Sequence, residues 1–251
     1  MKKRQVLFPV VLAVTLLITL FAPLAFALPT RSELRTALKA AVAEENGGSG
    51  FDVWATIVDR DGVVKQIVFS GTARGDQWPG GRVMSAQKAN TANAFSLTSL
   101  ALSTANLYSA VQPGGSLFGL QFGNPVNPAV AYTGSPTNYG TANDAMVGDR
   151  IGGVGVIGGG LPLYDKNGKL VGAIGVSGDS SCADHNIAWK VRHSLGLDYV
   201  PDGVSPTKDD NIIYDIVNGV SASGWGHPEC SAEATLIGKD LPNTNPIGVK
   251  P

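Results

Sequence analysis

Two stretches of this chain read as strand, tight turn and returning strand, and they limit the fold more than anything else in it. In "FDVWATIVDRDGVVKQIVFS" the side chains alternate, with Phe51, Val53, Ala55 and Ile57 on one face and Arg60-Asp61-Gly62 as the turn. In "LPLYDKNGKLVGAIGVSG" the turn is Lys166-Asn167-Gly168. Local hairpins of this kind build antiparallel sheet. Thr30-x-x-Glu33 is a capping box, and Leu34, Leu38, Ala41 and Val42 follow at helical spacing, which predicts a helix over 31–46 stopped at Gly47-Gly48. Met84–Ala110 lacks Gly and Pro and predicts helix, interrupted near Ser96. A third helix is predicted over 180–196, capped by Asp179, Ser180 or Ser181 and stopped at Gly196. Ile151–Ile157 predicts a fifth strand. Hairpins separated by helices define an α+β fold with an antiparallel sheet covered by helices.

Two regions fall outside that pattern. Residues 112–150 are rich in Pro, Gly, Asn and Tyr, too aromatic and too weakly charged for disorder, and read as a long packed loop. Residues 197–251 form a polar, Pro-rich extension with one short apolar run, "NIIYDIV". At the other end Lys2, Lys3 and Arg4 precede an apolar run from Val6 to Phe26 that closes on Ala25-Phe26-Ala27. This is the pattern of a signal peptide over residues 1–27, which predicts a periplasmic or secreted protein. Without those three basic residues, 16 Lys and Arg face 20 Asp and Glu, a net charge of −4. No basic block remains, so nucleic acid and membrane surfaces are disfavoured as partners.

Gly153-x-Gly155-x-x-Gly158 spells a dinucleotide-binding motif, but Gly159-Gly160-Leu161-Pro162 and a hairpin follow where that motif needs a helix. These glycines read instead as relief of crowding at a sheet. No Ser-His-Asp set or nucleophile elbow is present, and Asp209-Asp210 and Glu44-Glu45 read as solvated turns and ends.

The second hairpin and its helix carry a resemblance. Gly159-Gly160-Leu161-Pro162-Leu163, Gly168, Val171-Gly172-Ala173-Ile174-Gly175-Val176-Ser177-Gly178 and Asp184…Ile187-Ala188 match the pattern of the GlcG/HbpS-like haem-binding family. The "VDRDG" hairpin and "SAQKANTANAF" helix are similar more loosely, so the resemblance spans about 31–95 and 150–196. It implies a profilin-like three-layer α/β/α domain with a five-stranded antiparallel sheet over 28–196, and haem or a related tetrapyrrole as a small-molecule ligand. Members also include haem-degrading and iron-sensing proteins and products of glycolate or propanediol operons, and many form oligomers. The leader, the 112–150 loop and the 197–251 extension depart from the family, and the matching motif fixes no haem ligand.

On the last helix, Ile187, Val191 and Leu195 form the stripe expected to face the sheet. Cys182, His185, Trp189 and His193 form the opposite stripe, and residue types like these need cover. The extension, with Trp225, His227 and Cys230, is the nearest candidate. The chain has two cysteines and three histidines. In an oxidising compartment Cys182 and Cys230 most simply form a disulfide. A zinc site of Cys182, His185, His227 and Cys230 uses suitable ligand types, and a free Cys182 at a helix N-terminus would be reactive. For haem, His185, His193 and His227 are the imidazole candidates, Trp189 the aromatic neighbour, and Met84 and Met146 weaker donors. The leading expectation is an exported haem- or tetrapyrrole-binding protein without its own catalytic cycle. The alternatives are an enzyme that degrades haem or handles a small hydroxy acid, and a sensory or structural module.

Overall fold

The computed structural model describes residues 28–248; the predicted signal peptide lies outside them. Four antiparallel strands, β1 (Trp54–Asp59), β2 (Val64–Phe69), β3 (Gly160–Tyr164) and β4 (Leu170–Ser177), form one sheet in the order β2-β1-β4-β3. Both predicted hairpins are present, and β1 and β4 pair in the middle, with Trp54 opposite Ser177 and Asp59 opposite Gly172.

The alternation read in the sequence sorts the sheet's two faces. Val53, Ala55, Ile57, Leu161, Leu163, Ile174 and Val176 share a buried cluster with helices α1 (Arg31–Val42) and α5 (Ser181–Ser194). Trp54, Val58, Ile67 and Ala173 share another with α2 (Gly81–Phe95). The capping box at Thr30 and Glu33 closes as predicted, and Ser180 caps α5. Helix α2 buries small residues, Ser85, Ala86, Ala89 and Ala92, and so lies almost on the sheet. A Cβ on Gly175 would stand 2.0 Å from the Ser85 carbonyl oxygen and 2.5 Å from the Ala89 nitrogen.

Three expectations need correction. The sheet has four strands among the described residues. Gly152 and Gly153 adopt positive φ, and 151–155 instead runs beside α2, tied by Ile151 O to the Asn127 amide and by the Gly155 amide to Thr91 Oγ1 (3.0 Å). Helix does not resume after Ser96: the Ser96 hydroxyl takes the Leu102 amide (3.1 Å) and Thr104 Oγ1 takes that of Gly160 (2.9 Å), polar side chains that compete with helical bonding. Asp209 and Asp210 are buried rather than solvated.

The long loop carries two short helices, α3 (Leu120–Gly123) and α4 (Pro128–Ala131). It is anchored by the buried Arg82, whose guanidinium meets the Asp144 carboxylate (2.9 Å), the Ala131 carbonyl and the face of Tyr139. The extension forms a small hairpin, β5 (Ile216–Val217) with β6 (Val220–Ser221), and helix α6 (Ala232–Thr244), which packs on α5. Among the described residues no helix is long and apolar enough to cross a membrane.

Candidate functional site

Helix α5 is buried on every side from Cys182 to Arg192, so its second stripe is covered, as its composition requires. The cover comes from several parts of the extension. Trp189 donates its indole N–H to the Asn245 carbonyl (2.8 Å), and Arg192 makes a two-pronged pair with Asp210 at 2.7 and 2.8 Å. Trp225 packs elsewhere, beside Leu102, Leu107, Val154 and Val156.

The histidines are placed differently from one another. His185 is fully buried, its Nε2 3.2 Å from both the Asn211 side-chain oxygen and the Ile212 amide, and burial pushes its pKa down to about 3. His227 is also buried. Its Nδ1–H donates to the Pro228 carbonyl (2.7 Å), its Nε2 accepts from the Gly158 amide (3.4 Å), and burial lowers its pKa to about 4. His193, at the far end of α5, is partly exposed and bonded to Asp198 (2.7 Å). The structure therefore does not gather the three rings around one space.

Cys182 and Cys230 are joined as a disulfide. His227 lies against it, and the three side chains bring their donor atoms within 4.8 Å of one another, with His185 outside the group. While the sulfurs are bonded to each other they offer no thiolate to zinc.

Beside this group lies a buried ion pair. Lys88 of α2 reaches past the end of β4 to Asp184 of α5 (2.7 Å) and also donates to the Val176 carbonyl (3.0 Å). Burial raises the Asp184 pKa despite the ammonium, which acts in the opposite direction. Gly158, the last glycine of the dinucleotide-like motif, and Gly159 after it make this passage. A Cβ on Gly159 would stand 2.4 Å from the Val176 oxygen and 3.1 Å from Lys88 Nζ, and one on Gly158 2.2 Å from the Ser181 oxygen. They allow close approach within the protein, as the sequence predicted.

An apolar opening lies at the start of α2. A cleft of about 380 Å³ is lined by Phe51, Trp78, Met84, Gly81, Gly178 and the Asp179-Ser180 turn. Phe51, Trp78 and Met84 are 45%, 61% and 43% exposed, and the two aromatic rings meet edge to face with centroids 6.0 Å apart. Their positions are fixed from behind. Asp179 takes the amides of Ser49 (2.9 Å) and Phe51 (3.1 Å), and the Trp78 carbonyl takes the indole N–H of Trp54 (2.9 Å). The floor is bare because a Cβ on Gly81 would stand 2.7 Å from the Ser177 oxygen and one on Gly178 2.8 Å from the Asp52 oxygen. A larger opening of about 820 Å³ between 108–116 and the β5–β6 hairpin is lined by neutral polar and small groups. The sequence drew attention to the histidines and missed Phe51 and Trp78; the signal was a tryptophan in a polar turn, "GDQWPGG".

The cleft's chemistry suits a flat apolar ligand. It offers two aromatic surfaces and one soft donor, the Met84 thioether, but no imidazole. His185 and His227 are enclosed away from this cleft, with their Nε2 atoms engaged.

A four-stranded antiparallel sheet with helices on its faces defines an α+β class of protein. The chain belongs to the HbpS-like family: residues 30–192 match the family described as haem degrading protein HbpS-like. The 197–251 extension lies outside the match. Similar solved structures include Klebsiella pneumoniae protein ORFY, at 24% identity and TM-score 0.44, covering 65% of this chain and 86% of that one. PduOC in complex with haem is similar at 23% identity and TM-score 0.45, covering 65% and 89%. Streptomyces reticuli HbpS is similar at 18% identity and TM-score 0.40, covering 73% and 99%. No curated protein matches the chain.

Proposed function

We propose that this protein binds haem or a related tetrapyrrole non-covalently in the cleft of Phe51, Trp78 and Met84, within the profilin-like layered arrangement that the resemblance implies. The observation that carries this is the convergence of three large, exposed apolar side chains on one cleft, in a chain of a haem-linked family. Solvated apolar surface of this kind is costly unless it meets a ligand or partner. The volume lies within the range of about 300–1,000 Å³ usual for small-molecule sites. Met84 would hold the metal and the rings of Phe51 and Trp78 would cover the macrocycle; when bound, haem supplies its own redox and ligand-binding chemistry. No basic residue lines the cleft, so propionates would extend into water. We propose further that residues 1–27 act as a signal peptide directing the protein to the periplasm or outside the cell, and that copies associate as a homo-oligomer that leaves the cleft open. Titrating haem into the purified protein tests the proposal: a saturable shift of the Soret band at micromolar haem is expected, and none at all would remove it.

The family's description favours a second reading, haem degradation. It would show as loss of the Soret band with reductant and oxygen, together with released iron.

A further inference from the structure

The two sulfurs of the Cys182–Cys230 bond sit in opposite surroundings. Cys182 is fully buried, and Cys230 is exposed. Around Cys230 Sγ the neighbours are donors: the Cys182 amide N–H at 3.2 Å, in the first turn of the 14-residue α5, and the Ser181 hydroxyl at 3.6 Å. Beside Cys182 Sγ stands an acceptor, the Pro228 carbonyl at 3.5 Å; His227 Nδ1 lies further off at 4.0 Å, with its hydrogen given to that same carbonyl. Donors stabilise a thiolate and an acceptor favours a thiol, so reduction would leave the charge on the exposed sulfur. The surroundings thus reverse the asymmetry expected from sequence, where Cys182 was the reactive candidate.

The bond is also not the only tether of the segment that carries Cys230. The Ser231 hydroxyl holds the Gly47 carbonyl (2.7 Å), the His227 amide holds that of Ile213 (2.7 Å), and Arg192–Asp210 and Trp189–Asn245 fix the extension on either side. Opening the bond would therefore leave both thiols in place and able to re-form it.

We propose that Cys182 and Cys230 form a thiol–disulfide exchange centre, with Cys230 as the attacking and attacked sulfur and Cys182 as the resolving one. The co-reactant is a dithiol, small or carried by another protein. One of its thiolates attacks Cys230 Sγ, the Cys182–Cys230 bond breaks, and its electron pair goes to Cys182, which takes a proton. The second thiolate of the dithiol then attacks its own sulfur in the mixed disulfide and releases Cys230 as a thiolate. The co-reactant leaves oxidised and the protein carries both electrons; the reverse sequence reduces a disulfide and restores the bond. The proposal does not depend on haem binding.

The test uses the full chain after brief treatment with dithiothreitol, followed by alkylation and mass spectrometry under native conditions. Both cysteines should be reduced while circular dichroism stays native, and Cys230 should be alkylated first. In parallel, Cys182→Ser should react with a chromogenic aromatic disulfide at least ~10-fold faster than Cys230→Ser, because only the former leaves an exposed, donor-stabilised sulfur. Reduction that occurs only at the rate of global unfolding would overturn the proposal, and so would alkylation of Cys182 first. Reduced protein that retains zinc and protects both sulfurs until a chelator is added would assign the pair to a metal site instead. The alkylation order in the wild type decides the matter even if a serine variant fails to fold.

Discussion

At the scale of single residues, the interior holds charge in buried pairs, Arg82–Asp144, Lys88–Asp184 and Arg192–Asp210. Arg192 and Asp210 are both wholly buried, and desolvation raises the Asp210 pKa against the pull of the guanidinium. The two partners are not equivalent. A carboxylate left alone can take up a proton, whereas a guanidinium cannot lose one. Asp210→Asn should therefore cost about 3–5 kcal/mol in denaturant unfolding, and Arg192→Met should cost less, with its deficit smaller at pH 5 than at pH 8. The histidines set the acid limit. His185 and His227 are held near pKa 3 and 4 by burial, against about 6.5 in the unfolded chain. The unfolded state thus binds more protons below pH 6.5, and stability present above that pH is lost as pH falls. The slope should approach about 2.7 kcal/mol per pH unit between pH 5.5 and 4, and His227→Gln should remove about half of it, measured by urea unfolding across pH. Asp209-Asp210 was misread from sequence because a pair of acids in a polar stretch looks solvated; its partner, Arg192, stands on another element and is joined to it only by the fold.

At the scale of elements, the legible features were those encoded locally. The alternation around Arg60-Asp61-Gly62 and Lys166-Asn167-Gly168, the Thr30–Glu33 box and the Ser180 cap each involve residues within a few positions of one another. Ile151–Ile157 looked like a strand because it is apolar, but Gly152 and Gly153 take positive φ and its bonds go to Asn127 and Thr91, which lie well away in sequence. The same limit applies to α2. Its small residues predicted a helix, but not that its backbone would rest on Gly175 of β4. Gly175→Ala should force these two elements apart and cost about 1–3 kcal/mol, as overpacked cores do, with an unchanged slope in urea unfolding. A cost near zero would mean that α2 can move away freely.

At the scale of the whole molecule, the extension is built into the domain through α5. Its disulfide spans 48 residues, and a loop of this length should contribute about 4 kcal/mol by restricting the unfolded chain. Cys182→Ser and Cys230→Ser should lower the melting temperature to a similar degree, and the double variant no further, since all three remove one bond. Sequence composition pointed to cover over α5, and the cover is there. What sequence could not give was the aromatic cleft, because Phe51, Trp78 and Met84 come from a strand approach, a loop and a helix start that only folding brings together. The central claim is that these three side chains hold a tetrapyrrole, and a haem titration of the Trp78→Ser variant beside the wild type, followed at the Soret band, tests it most directly. Removing one aromatic surface should weaken binding about 10-fold or more while leaving the melting temperature unchanged, because Trp78 is a surface residue. Equal affinity in the two proteins would contradict the claim and place haem elsewhere.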